Sequence, residues 1–305
     1  MLTIAIPTYH RGAVLCDTIE HLLRLEPRAQ EIVIVDQTPL HPPDVAARLA
    51  EYEATGAIRI VRRAEPSIPK AMNAALHHAR SAHVLFLDDD VIPDRGLVGA
   101  HARALREPGV WAVVGQVLQP GESPSHFDDD TLRRGTLRDL EFRFTHDTAC
   151  DVQNVMAGNL SVDRTRALSI GGFDEHFIDV AYRFETDFAL RLVRAGGRIR
   201  YEPAASIRHL KAPGGGVRTW GDHRTSPSPA HSFGDYYFAR RHVPHFWRYV
   251  AVRLRKNVLT RFHLAHPWTV PFKVVGELRG LWRARRADLG WTGTPAGDRR
   301  ARAEE

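Results

Sequence analysis

The chain has 305 residues, 43% hydrophobic and 26% charged, an ordinary composition for a soluble globular protein with one large domain, or a main domain and an appendage. Two cysteines, Cys16 and Cys150, cannot build a disulfide framework, which points to a reducing, cytoplasmic setting. No stretch reaches the ~18–20 uninterrupted apolar residues of a membrane span, and the start has neither the basic region nor the cleavage site of a signal peptide. The net charge of +6 is uneven. From Arg240 onward fifteen Lys/Arg stand against five Asp/Glu, a net of +10, so the preceding body carries −4. A basic tail on a mildly acidic body calls for an anionic partner, a membrane surface or a nucleic acid.

The first ~120 residues alternate between strand and helix patterns. Leu2–Pro7 reads as a strand, Val14–Leu25 as a helix, and Glu31–Asp36 as a strand ending in an acid. Helix Val45–Thr55, strand Ile58–Val61 and helix Ile68–Arg80 follow. Strand Val84–Leu87 runs directly into Asp88-Asp89-Asp90, and then come helix Leu97–Arg106 and strand Val110–Val117. This rhythm predicts an α/β fold with a doubly wound, mainly parallel sheet. Pro120–Ser125, with Asp128–Asp130, reads as irregular, and Thr148–Leu160 as strand and turn. Asp163–Ile170 reads as a short helix before Gly171-Gly172-Phe173-Asp174. Glu185–Ala195 is helical and stops at Gly196-Gly197, as a C-cap should. Ile199–Tyr201 and Ala205–His209 are short strands, and Ala212–Val217 is a glycine-rich loop. After Phe233 the chain turns helical, aromatic and basic, and from about Thr292 it reads as disordered.

Three strand ends carry chemistry. Open α/β sheets bind ligands just outside the carboxyl ends of their strands, so the ends of the first, second and fourth strands share one rim. Pro7-Thr8-Tyr9-His10-Arg11 follows the first strand, Asp36 ends the second, and Asp88–Asp90 follows the fourth. Three adjacent carboxylates repel one another until a cation neutralises them, which predicts a divalent-metal site. Tyr9 can stack on a base, Asp36 can accept a hydrogen bond from a base or ribose, and Arg11 can meet a phosphate. No GxGxxG follows the first strand and no GxxxxGK[ST] occurs, so dinucleotide and P-loop readings are weak.

Together, Ile6-Pro7-Thr8-Tyr9-His10-Arg11, Val35-Asp36, Asn73 in Pro69–Ala75, Leu87-Asp88-Asp89-Asp90, Gly171–Glu175, Phe184–Leu192 and His209 resemble the family 2 glycosyltransferases of the GT-A fold, over roughly residues 1–215. The resemblance implies a metal-dependent, inverting transfer of a hexosyl or deoxyhexosyl group from a nucleotide-diphosphate sugar, UDP-, dTDP- or GDP-linked. The acceptor would be a hydroxyl of a glycan or a lipid-linked molecule, as in cell-envelope polysaccharide synthesis. It implies donor contacts from Pro7, Thr8, Tyr9, Arg11, Asp36, Lys70, Asn73, Asp88 and Asp89. Asp90 and His209 would bind Mn²⁺ or Mg²⁺, and an imidazole ligand suits Mn²⁺ better. At the place of the family's catalytic Asp this chain has Glu185, with Asp187 a supporting acid. Asn159, Gly172 and Asp174 would face the acceptor. Gly214-Gly215-Gly216 with Arg218, His223 and Arg224 would close on the diphosphate.

Residues 1–232 would then form the catalytic domain, with a nucleotide-binding half (1–118) and an acceptor-binding half (119–232). Residues 233–291 would form a helical basic extension. Its clusters, such as Phe246-Trp247-Arg248-Tyr249, fit peripheral contact with an anionic membrane on its cytoplasmic face. A haloacid-dehalogenase-type phosphatase also places Asp-x-Asp after a strand, but gives no place to Pro7-Thr8-Tyr9 or to the Gly-Gly-Phe-Asp turn. A nucleic-acid-binding protein would explain the basic tail and leave Asp88–Asp90 and Glu185 without a role, so nucleic acid is not expected as a partner.

Overall fold

A computed structural model describes residues 1–127, 142–217 and 221–291; the expected irregular acids Asp128–Asp130, the loop residue Arg218 and the tail 292–305 lie outside them. In chain order the elements are β1 (Leu2–Thr8), α1 (Ala13–Leu23), β2 (Glu31–Asp36), α2 (Pro43–Ala54), β3 (Arg59–Arg62), α3 (Ile68–His78), β4 (His83–Leu87), β5 (Val91–Pro93), α4 (Leu97–Ala104) and β6 (Val110–Leu118). Then come β7 (Cys150–Val152), β8 (Asn159–Asp163), α5 (Arg164–Ser169), α6 (Phe184–Arg194), β9 (Arg198–His209), α7 (Phe233–His242), α8 (Phe246–Val258), α9 (Arg261–Ala265) and α10 (Val270–Arg286).

The strands form one sheet in the order β3-β2-β1-β4-β8-β6-β9-β5, with β7 added to β9. β3, β2, β1 and β4 are parallel, as the βα rhythm predicts. β8 enters between β4 and β6 antiparallel to both, which makes the sheet mixed. Side chains alternate across the central strands and sort into two cores. Ala5, Val33, Val35, Val84 and Phe86 face α3 and α6, while Ile4, Ile6, Ile32, Ile34, Leu85 and Leu87 face α1 and α4. Burial on both faces is why these strands read as continuous apolar runs. The two short strands expected at 199–201 and 205–209 are one strand, β9, whose pairing with β6 shifts register between Gly115 and Gln116.

The pairing that matters most for function was not visible in the sequence. Val91–Pro93 forms a short strand, β5, antiparallel to the end of β9, with Val91 opposite His209. This brings the residues after β4 against the last residue of β9.

The helical extension shares the core of the sheet domain. Phe233, Tyr236, Tyr237 and Phe238 of α7 are buried in the same cluster as Phe173, Phe184 and Phe188. Charged groups tie the layers together. Asp187 on α6 has no exposed side-chain surface. Its Oδ2 accepts from Arg191 Nε at 2.8 Å, and its Oδ1 lies 2.7 Å from His242 Nε2 and 2.9 Å from Arg241. Asp174 is equally buried; it accepts from Tyr237 Oη at 2.9 Å and pairs with Arg241. α10 lies flush on the start of α7. A Cβ at Gly280 would sit 2.0 Å from Ser232 Oγ, and one at Gly276 would sit 2.9 Å from Ser226 O.

Burial alone would raise the pKa of Asp187, but His242, Arg191 and Arg241 hold it below the usual carboxylate range; Glu277, paired with Arg253 and Lys273, is likewise held low. A carboxyl depressed in the folded state stabilises fully above its unfolded pKa of about 4 and loses that contribution as pH falls through the folded value. Asp187→Asn leaves Arg191 without its carboxylate partner and Arg241 with Asp174 alone. We expect it to cost about 3–5 kcal/mol near neutral pH and to flatten the acid limb of stability below about pH 4. Urea denaturation at neutral and acid pH checks both; an unchanged midpoint at neutral pH refutes the strut role.

Candidate active site

The three acids after β4 occupy three different environments. The Asp88 side chain is 49% exposed and that of Asp90 is 0% exposed. Asp89 is buried and turned back toward the body of the fold: it accepts from Thr8 Oγ1 at 2.8 Å and pairs with Arg11 Nε at 2.8 Å. Burial is the main influence on Asp89 and pushes its pKa up to about 7, against Arg11 and Thr8. Asp89 therefore locks the end of β1 to the acid turn. Thr8 and Arg11, expected on the nucleotide, are engaged with this lock.

Asp90 points the other way. Its Oδ2 accepts from Ala212 N at 2.8 Å, while its Oδ1 is buried without a hydrogen-bond partner. That oxygen faces His209 Nε2 at 3.1 Å, out of line for a hydrogen bond; the same nitrogen is 3.6 Å from Asp88 Oδ2. His209 Nδ1 lies 3.0 Å from Gln119 Oε1, an acceptor, so a proton belongs on Nδ1 and Nε2 is the free donor atom toward the acids. Asp90's carboxylate, the nearest anion, raises the pKa of His209. Burial works against ionisation of Asp90, but His209, the Ala212 N–H and Arg11 keep it low. A buried carboxylate oxygen that accepts no hydrogen bond, 3.1 Å from an oriented imidazole nitrogen, fits a divalent cation. A second histidine and acid cluster, His126, His146 and Asp147, has ligand atoms within 4.8 Å of one another; His126 and Asp147 are exposed and pair with each other at 3.0 Å.

The glycine-rich loop is stitched over this site. Arg11 donates to Ala212 O (3.1 Å) and Gly214 O (2.8 Å), and Gly216 N donates to Tyr9 O at 2.7 Å. Gly215 is required: its φ is +72°, and a Cβ would lie 2.4 Å from His10 O. The strand-one end, the acids and this loop thus form one wall. Arg224, expected to reach the diphosphate, instead pairs with Asp222 at 2.9 Å and lies over the Phe262 ring; His223 is 3.6 Å from Asp222.

Residues 156–158 link the acids to the helix expected to carry the base. Gly158 abuts Asp88 so closely that a Cβ would lie 2.2 Å from Asp88 Oδ2, and Ala157 N donates to Glu185 Oε1 at 2.7 Å. Glu185, part-buried in the first turn of α6, is therefore two residues of backbone from the acid turn. Asp36 lies on the same rim, opposite Thr8 in the β1–β2 register. Its Oδ1 accepts from Thr38 N at 2.9 Å and its Oδ2 meets His41 Nε2 at 2.8 Å. Pro7 and Tyr9 are part-buried at the end of β1 and just after it, and Tyr9 stacks edge-on with His10.

Several expected contacts are corrected by burial. Asn159 is fully enclosed: its amide donates to Gln116 O and Ala205 O, and its Oδ1 meets His101 Nε2 at 2.8 Å, so no polar atom is left for an acceptor. Asp174 and Asp187 are turned into the α6–α7 junction, away from the acid turn. Gly172 is buried with φ +63°, and its Cβ would strike Asn73 Oδ1 at 2.4 Å. Asn73 spends its amide on holding that turn, donating to Phe173 O and accepting from Phe173 N, both at 2.8 Å. Lys70 pairs with the exposed Glu65 at 2.7 Å on the surface of α3. Sequence reasoning missed His41, Gln119 and the 156–158 turn. His41 lies in a proline-flanked loop, Gln119 contacts a residue 90 positions away, and Ala157 acts through its backbone, which leaves no side-chain signal.

Known structures resemble the whole fold. A mannosyltransferase, PcManGT from Pyrobaculum calidifontis, solved with GDP-Man and Mn²⁺, superposes with a TM-score of 0.54 at 18% identity, over 99% of this chain and 79% of its own. GalNAc-T7, solved with UDP, GalNAc and Mn²⁺, gives 0.61 at 13% identity, over 95% of this chain and 55% of its own. S. aureus TarS 1–349 with UDP-GlcNAc gives 0.55 at 14% identity, over 90% and 71%. No curated protein sequence matches the chain. The family model described as glycosyl transferase family 2 matches residues 3–166, more than half of the chain and the part that carries the acid turn. The chain belongs to glycosyl transferase family 2.

Proposed function

We propose that this glycosyltransferase moves a hexosyl or deoxyhexosyl group, with inversion, from a UDP-, dTDP- or GDP-linked donor to a hydroxyl of a glycan or lipid-linked acceptor. The observation that carries the reading is the buried Asp90 Oδ1, which accepts no hydrogen bond and lies 3.1 Å from His209 Nε2. Asp90 and His209 would hold Mn²⁺ or Mg²⁺, with Mn²⁺ favoured by the imidazole. Bound there, the cation supplies charge stabilisation for the leaving nucleoside diphosphate. That similar folds were solved with GDP-Man and with UDP-GlcNAc supports the donor class and leaves the base open.

The protein's own groups do the rest. Gln119 orients His209, and Gly158 leaves room for Asp88 to face the cleft, where it can accept from a ribose hydroxyl. Asp36, steadied by His41 and Thr38, and the Tyr9 ring would hold the nucleoside on the same rim. Glu185 would take the proton from the attacking hydroxyl. Its carboxylate is favoured by the N-terminal end of α6 and positioned by the Ala157 N–H. The hydroxyl then attacks the anomeric carbon from the face opposite the leaving diphosphate, which gives inversion. The basic extension would set the enzyme against the cytoplasmic face of an anionic membrane.

Titration calorimetry of nucleotide diphosphate sugars with and without Mn²⁺ tests the donor site. Wild type is expected to bind one of them in a Mn²⁺-dependent way, and Asp90→Asn to lose that dependence. Gly158→Ala, whose new methyl collides with Asp88, is expected to weaken donor binding about tenfold, the scale of one hydrogen bond to a charged group. Donor affinity unchanged in Asp90→Asn would overturn the assignment. For the base, Glu185→Gln should keep donor affinity and lower kcat by about 10²–10⁴-fold; single-turnover transfer at the wild-type rate would remove Glu185 from that role.

A further inference from the structure

A helix on the surface of a water-soluble fold normally buries its apolar stripe and exposes its charged one. α10 departs from this: it buries two charged residues and small ones, and exposes large apolar side chains among arginines. Its buried stripe is Lys273, Gly276, Glu277, Gly280 and Ala284. Its outward stripe is Phe272, Val275, Leu278 and Trp282, exposed by 53%, 38%, 51% and 57%. The spacing of three, three and four residues keeps these four on one face. The burial of Lys273 and Glu277 is compensated: they pair with each other at 2.9 Å, and Glu277 also accepts from Tyr236 and Arg253. The inward polar face is thus a built interface, and the outward apolar face is the one left without a partner among the described residues.

The neighbouring surface continues the pattern. Trp247, Leu259, Leu264 and Trp268 are each more than half exposed. Cations are interleaved with them: Arg286 lies 4.1 Å over the Trp282 ring, and Arg285 of α10 lies 5.3 Å over the Trp247 ring of α8. Arg248, Arg255, Lys256, Arg261 and Arg279 are exposed as well, whereas of the three acids in 233–291 only Asp288 is exposed. Exposed tryptophans among arginines, on a helix whose apolar side faces outward, match the interface of a bilayer with anionic headgroups. A basic, apolar patch facing a second copy of itself would instead set like charges against each other.

We infer that the outward face of α10, with Trp247 of α8, is a docking surface for an anionic phospholipid bilayer, with α10 lying along the headgroup plane. This deepens the membrane contact of the transfer reading by naming the face and the lipid charge. Lipid binding is read without any transfer, so the two can fail separately.

The test is co-sedimentation of the full chain with vesicles of phosphatidylcholine alone, or with phosphatidylserine added. Binding is expected only with phosphatidylserine, and it should weaken as salt rises. Phe272→Ser combined with Trp282→Ser is expected to lower partitioning at least tenfold, and so is Arg285→Glu combined with Arg286→Glu. Circular dichroism and Mn²⁺-dependent donor binding should stay at wild-type values in both variants, because these side chains are exposed and far from the acid turn in sequence. No vesicle binding by wild type overturns the inference. So does a wild-type dimer in light scattering that the Phe272→Ser, Trp282→Ser variant turns into monomer.

Discussion

The candidate cation site depends on a three-residue strand pairing. β5 puts Val91 opposite His209, and only because of that do Asp88 and Asp90 meet an imidazole contributed from a distant part of the chain. The pairing also buries Asp90. A carboxylate with no exposed surface and one oxygen lacking a hydrogen bond is an unfavourable arrangement by itself. A cation joining it would make it favourable. The neighbouring Asp89 acts in the opposite direction. Through Thr8 and Arg11 it fastens the end of β1 and the glycine-rich loop to the same turn. Adjacent acids with alternating direction thus divide into an anchor and two groups directed at His209.

The second organising device is the N-terminal turn of α6. Glu185 faces residues 156–158, which abut Asp88, while Asp187, two positions on, faces Arg241 and His242. One helix start therefore presents a carboxylate to the site and another to the extension. α7, through Arg241 and His242, packs against the same helix turn that carries Glu185. The extension accordingly belongs to the architecture of the site, although its sequence reads as an appended basic tail.

How much of this was legible follows from the range of each interaction. The continuous apolar runs of β1, β2 and β4 and the motif order exposed the sheet and its rim, because both are local in sequence. The antiparallel entry of β8 and the β5–β9 pairing were hidden, since a short strand carries no direction in its composition. Asp88–Asp90 stand out by residue type, whereas His209, one of seventeen histidines, is singled out only by the family resemblance. The roles of Asn159, Asp174 and Asp187 could not, because polarity alone does not tell a cleft-facing group from one buried in a network such as His101–Asn159 or Tyr237–Asp174. For α10 the sequence shows a basic, aromatic helix; only the packing of Gly276 and Gly280 on the start of α7 reveals that Lys273 and Glu277 face inward.

The central claim is that Asp90 and His209 form the cation site of a sugar-transfer centre. Crystals of the protein soaked with Mn²⁺ and a nucleoside diphosphate, with anomalous scattering recorded at the manganese edge, test it most directly. One strong peak is expected within coordination distance of Asp90 Oδ1 and His209 Nε2, adjoining the diphosphate. A peak at His126, His146 and Asp147 with none beside Asp90 would contradict it.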